Sequence, residues 1–216
     1  MASNVDEPAL ALAYHFRPDD AVTLLVGPEE HKMLVHGPQI TAHSEFFTAA
    51  LNKEWVEGQT REIKLPEDDP ELMTYHIDHV YSNRLPTDVY TTGSPGFRKK
   101  AGYKKLAQLY VLAKRLLDSR CRNRIIQEML RLRALICATG YPSNPSLDSV
   151  NIIYQGTTPG SPARRLLIDM YAYTARGRRY QRDADVDPAF LMDLVRKFSG
   201  TRTFIGLALA PGDYLV

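Results

Sequence analysis

The sequence predicts an α+β protein, with a small mixed β-sheet covered by a helical cluster and further helices at the C-terminal end. Three observations carry this. Aliphatic and β-branched runs separated by turn residues are confined to the first 67 positions. From Asp69 onward apolar residues recur at spacings of three and four. Asp69-Pro70, Ser161-Pro162 and Asp187-Pro188 each pair a side-chain acceptor with a proline suited to the first helical position.

The elements follow in order. VTLLVG (22–27) and HKMLVH (31–36) flank Gly-Pro-Glu-Glu and read as a β-hairpin. From Gln39 the period changes, and Ile40, His43, Phe46, Phe47, Ala50 and Leu51 mark one face of a helix. REIKLPE (61–67) alternates Ile63 and Leu65 with charged neighbours, the pattern of a half-buried strand. A helix opens at Asp69-Pro70, with Leu72, Met73, His76, Ile77, Val80 and Tyr81 on its face and Asn83 near its end. Residues 86–100 read as a Pro/Gly/Thr loop. The next helix carries Leu106, Leu109, Tyr110, Ala113, Leu116 and Leu117 on one side. Another, starting after Asp118 or Ser119, aligns Cys121, Ile125, Met129, Leu132 and Ile136, with Arg120, Arg124 and Arg131 on a different face. A polar linker (139–149) precedes VNIIY, a short strand or helix. Two capped helices close the chain, one with Leu166, Leu167, Met170 and Tyr171, the other with Phe190, Leu191, Leu194, Val195 and Phe198. The organisation expected is a flexible segment 1–18, a domain 19–137, a helical extension 138–200 and a tail 201–216.

Composition bounds the function. With 44% hydrophobic and 24% charged residues in 216, the chain can bury a core unaided. Cys121 and Cys137 fit no disulfide framework or zinc-ligand spacing and fall in apolar-periodic sequence, so they read as buried structural thiols in a reducing compartment. The N-terminus has no basic region followed by an apolar run, and no stretch approaches the ~18 apolar residues of a membrane span. A soluble protein of the cytoplasm or nucleus is expected. The net charge of +2 conceals a division: residues 1–97 hold 6 Lys/Arg against 16 Asp/Glu, and residues 98–133 hold 12 basic residues against Asp118 and Glu128. Such segregation gives solvated helix faces, or complementary surfaces within one molecule or between two.

No catalytic constellation emerges. Ser44 follows His43 directly, but helical neighbours point about 100° apart, and no GxSxG turn is present. His36 and His43 lie on different predicted elements. His76 and His79 stand at i,i+3 with no third ligand nearby in sequence, so each histidine reads as structural, and neither a metal nor a cofactor is expected. GSPGFRKK and GTTPGSPARR lack phosphate-loop spacing; the second offers only the anion affinity of any capped helix start. The basic block 98–133 and ARGRRYQR (175–182) make a nucleic-acid-associated or transcriptional regulator the alternative, ranked lower because the chain is nearly neutral and shows no zinc-finger or basic-zipper pattern.

Asp20-Ala21-Val22-Thr23, VGPEE, Val35-His36, Ser44-Glu45-Phe46-Phe47, Trp55-Val56-Glu57 and IKLPEDDPE, in this order and spacing, resemble the BTB/POZ domain. LAQLYVLAKRLLDSRCRNRIIQEML is similar to the later helices of the single-domain BTB proteins of filamentous fungi. GSPARRLLIDMYAY with DPAFLMDL resembles their helical extension. The resemblance spans roughly residues 19–198. It implies a BTB/POZ fold and a non-enzymatic protein-interaction module, often homodimeric, some of whose members are adaptors that dock a cullin scaffold and present a substrate for ubiquitination. It further implies that Trp55 and Glu57 form the hydrophobic-x-Glu docking element, the alternative being that Trp55 packs on the neighbouring loop. Asp20 and His36 would be structural, helping to fix the strand-to-helix geometry. Two features depart from the family. Gly37-Pro38 replaces the usual basic residue after His36, and the segment before Asp20 is shorter than the helix used in the family's swapped dimer.

Overall fold

The structure, a computed structural model, describes residues 20–87, 97–137, 144–174, 186–200, 212, 214 and 215. The segment 1–18, the stretch ARGRRYQR and most of the tail lie outside them, as do the side chains of Ile136 and Cys137.

Three strands form one mixed sheet in the order β2-β1-β3. β1 (Ala21–Val26) pairs antiparallel with β2 (His31–His36), Val22 opposite Val35, and parallel with β3 (Glu62–Leu65), Leu24 opposite Ile63. The expected hairpin and third strand are thus present. Val22, Leu24 and Val26 on one face of the central strand are fully buried, as the period of two requires. A parallel pair needs a crossover, and three short helices supply it: α1 (Gly37–Thr41), α2 (Glu45–Ala50) and α3 (Val56–Thr60).

The single helix expected from Gln39 is two. Ser44 adopts extended backbone (φ −131°, ψ 119°), and its Oγ accepts from the Phe47 amide at 3.2 Å. The same hydroxyl donates to the Leu116 carbonyl. A serine that caps one helix and ties it to a distant turn breaks the chain that the periodicity would have continued. Gly37-Pro38 does not merely turn the chain; the proline occupies the first turn of α1.

α4 (Pro70–Ser82) starts and ends as read: Asp69 accepts from the Glu71 and Leu72 amides, and Asn83 terminates it in the left-handed conformation (φ 55°). α5 begins at Phe97, inside the predicted loop, and runs to Arg115. Tyr103, Leu106, Leu109, Tyr110, Leu112 and Ala113 are all buried, so α5 is enclosed on most sides. Leu117, expected on the same face, has φ 54° and is half exposed, because the helix has already ended and the chain is turning. Asp118 then opens α6 (Ser119–Cys137), accepting from the Cys121 amide at 2.8 Å.

VNIIY is helical, within α7 (Leu147–Gly156), which packs on α5. A Cβ at Gly156 would stand 2.3 Å from Val111, so only glycine permits this approach. α8 (Pro162–Thr174) and α9 (Pro188–Gly200) follow as the proline pairs indicate. Leu166, Leu167, Met170 and Tyr171 are buried as expected. On α9 only Phe190 and Leu194 are, while Leu191 and Val195 remain 50% and 57% exposed. The Phe190 ring meets Tyr154 and Tyr171 edge-on, at 5.5 and 5.1 Å. One hydrophobic cluster runs from Val22 through α4–α8 to Phe190, Leu194 and Tyr214.

Candidate functional site

α3 and the turn before it hold the Trp55-Val56-Glu57 element. Asn52 organises the turn: its carbonyl accepts from the Trp55 amide at 3.0 Å and its Oδ1 from the Glu54 amide at 3.2 Å. Gly58 lies on this carbonyl so closely that an added Cβ would be 2.1 Å from the oxygen. Gln59 donates from its amide to the Trp55 carbonyl and from its side chain to that of Lys53. The backbone is therefore fixed from both ends while the side chains point outward. Trp55 is 62% exposed and Val56 69%, with Glu57 exposed beside them in the first turn. Two contiguous large apolar side chains next to a carboxylate make a compact surface with an apolar centre and one charged contact.

The residues assigned structural roles are more enclosed than this surface. Phe47 is fully buried, whereas Phe46 is partly so; their rings meet edge-on at 5.3 Å. His36 ties the end of β2 to α4: its amide donates to the Tyr81 hydroxyl at 2.8 Å and its Nδ1 lies 2.6 Å from the same oxygen. Asp20, half-buried, immediately precedes β1, and its carbonyl oxygen lies 3.3 Å from where a Cβ of Gly37 would be.

Part of the segregated charge is matched inside the molecule. Arg115 of α5 pairs with the buried Asp68 before α4, and Lys105 with Glu71. Glu71 is held below the usual carboxylate range, first by the Lys105 hydrogen bond and then by Tyr75. Buried Glu128 accepts from Arg131 at 2.6 and 2.7 Å and from Thr87 at 2.8 Å, with Arg124 at 3.4 Å. Burial pushes its carboxyl up, but these bonds prevail and keep it low. Arg133 lies over the Tyr173 ring at 4.8 Å. Within the described part of the basic block, Lys104 and Arg120 face solvent. The cleft at the start of α8 mixes Arg164, Arg165, Arg196 and Lys197 with Asp169 and Asp193, and Lys197 and Arg196 pair with those carboxylates.

Folding also gathers side chains that spacing kept apart. His43, between α1 and α2, His76 and His79 of α4, and Asp118 and Cys121 at the start of α6 converge. A carboxylate partner for His76, absent from the sequence near it, is thus supplied by Asp118, 42 residues away and 3.1 Å from its Nε2. Local spacing carried no signal for it.

Set against models of known protein families and against curated proteins, the chain gives no match. No described helix is long and apolar enough to cross a membrane.

Proposed function

We propose that this chain is a non-enzymatic protein-interaction module of BTB/POZ type that docks a cullin scaffold through Trp55 and Glu57, acting as a ubiquitin-ligase adaptor in the cytoplasm or nucleus. The observation that carries the proposal is the outward-facing Trp55-Val56 pair on a backbone locked by Asn52 and Gly58. A tryptophan packed on its neighbouring loop would not leave most of its surface to solvent. Preorganised backbone lowers the ordering cost of docking, and aromatic anchors beside a charge are where binding energy concentrates. The order of elements, a hairpin, three short helices, a third strand and then, among the described residues, helices, agrees with what the resemblance implies. The α7–α9 extension is the surface left for recognising a substrate.

Pull-down of cullin with the wild-type chain and with Trp55→Ala/Glu57→Ala tests this. Losing a hot-spot pair of about 2 kcal/mol or more lowers recovery at least roughly 30-fold. Both side chains are exposed, so the variant should unfold at nearly the wild-type temperature. Equal recovery from both proteins, or none from the wild type, overturns the reading. Light scattering is expected to give twice the 24.4 kDa chain mass, and a monomer would remove the homodimer from it. Nucleic-acid binding is the competing outcome. It would appear as salt-sensitive retention lost on neutralising Lys104, Lys105, Arg120 and Arg124.

A further inference from the structure

We propose that His76, Asp118 and Cys121, with His43 as the fourth donor, form a buried site for a divalent transition-metal ion of zinc's class. One donor atom from each of the first three residues lies within 4.8 Å of the others, and all three residues are buried. The His76 Nε2 is 3.1 Å and the His43 Nδ1 4.0 Å from the same Asp118 Oδ2. Zinc bonds of about 2.0–2.3 Å to nitrogen, oxygen and sulfur give a tetrahedron with edges of roughly 3.3–3.7 Å. The first three donors already stand near that spacing, and His43, outside their 4.8 Å grouping but 4.0 Å from the Asp118 Oδ2, completes the shell by turning its ring towards them.

The frame is already rigid. Ser44, adjacent to His43, donates to the Leu116 carbonyl and so fixes the α1–α2 junction against the α5–α6 turn. Asp118 is held by the Cys121 amide through its other oxygen, Oδ1, leaving Oδ2 directed at the two imidazoles.

The cluster's polar atoms lack a full set of partners. The His43 Nδ1, which faces the Asp118 Oδ2, is buried without a hydrogen bond. Such atoms are rare in native interiors and ask for a bound species. The ligand types also balance charge: two neutral imidazoles, a carboxylate and a thiolate neutralise a divalent ion, which a dry interior demands. Burial holds His43 below its usual range, against the pull of Asp118 and with Arg120 acting in the same direction as burial. The Cys121 thiol is pushed well up by burial and by the Asp118 charge. On binding, its S–H bond breaks, a sulfur–metal bond forms and the proton leaves to solvent, so affinity rises with pH. His43, whose side chain is 19% exposed, marks the side from which an ion can enter.

Titration of the metal-free chain with Co²⁺ tests the site. One equivalent should produce the intense visible bands of four-coordinate cobalt and a thiolate charge-transfer band, both bleached by Zn²⁺. Cys121→Ser should abolish the thiolate band, and Cys137→Ser should retain it. His43→Gln, at a partly exposed position, should fold and bind at least about 10-fold more weakly, since even outer-shell losses cost that much. Absence of visible bands in the wild type, or a thiolate band persisting in Cys121→Ser, overturns the proposal. Should Cys121→Ser fail to fold, unchanged affinity in His43→Gln overturns it alone. None of these readouts involves cullin recovery, so this proposal and the docking reading fail separately.

Discussion

Replacing Phe47 with alanine is expected to destabilise the chain by about 3–5 kcal/mol, the cost of removing a wholly enclosed aromatic ring. Phe47 has no exposed surface and belongs to the cluster that joins the sheet to the helices. The neighbouring Phe46→Ala is expected to cost roughly half of that or less, because Phe46 keeps part of its surface in water. Urea unfolding of the two variants measures the contrast. Equal losses would mean that Phe47 is not the ring that anchors α2. The two residues are adjacent and chemically identical, so the difference isolates burial from side-chain type.

Acidification gives the second large effect. Burial lowers His79 from 6.5 to about 4, with the charges of His76, His43 and Arg124 acting in the same direction and Asp118 opposing them. Between those values the unfolded chain takes up a proton that the folded chain refuses, so stability rises with pH across this window and falls as pH drops from 6.5 towards 4. The loss approaches roughly 3 kcal/mol over the full window. It should be measured in the presence of a chelator, by urea midpoints at pH 7 and pH 4.5. Asp118, held low despite burial by the His76 and Cys121 bonds, contributes a further loss only as pH falls below the ordinary aspartate range. His79→Leu should flatten the dependence above pH 4.5 and raise stability at pH 7, since it removes two buried nitrogens without partners. A variant with the wild-type slope would show that another group governs the acid transition.

Much of the architecture was legible because it is encoded over short distances. Asp69-Pro70, Ser161-Pro162 and Asp187-Pro188 mark helix starts by chemistry confined to two adjacent residues, and each start stands where expected. The hairpin between Ala21 and His36 is similarly local. Errors fell where a distant partner overrode the local pattern. Periodicity runs unbroken from Ile40 to Leu51, yet Ser44 leaves the helix to bond Leu116. Leu117 continues the apolar face of α5 in sequence but lies beyond its last turn. Leu191 and Val195 share the face of Phe190, but the rings of Tyr154 and Tyr171 cover only the latter.

The candidate docking element was visible in sequence as Trp55-Val56-Glu57, but its orientation was not. Whether a tryptophan anchors a partner or fills its own loop depends on which way a five-residue helix faces, and Gly58 against Asn52 sets that direction. The histidine cluster was hidden altogether. His43, His76 and Asp118 are separated by 33 and 42 positions, and no local period relates them.

Read alone, then, the chain settled its strands, the helix starts at its three acceptor-proline pairs and part of its hydrophobic faces. These depend on backbone preferences and on side chains within one or two turns of each other. Packing alone decided which faces meet, which basic residues are matched by Asp68, Glu71 and Glu128, and which polar groups share a buried space. Those outcomes arise from contacts between residues tens of positions apart, where sequence distance says nothing about separation in space.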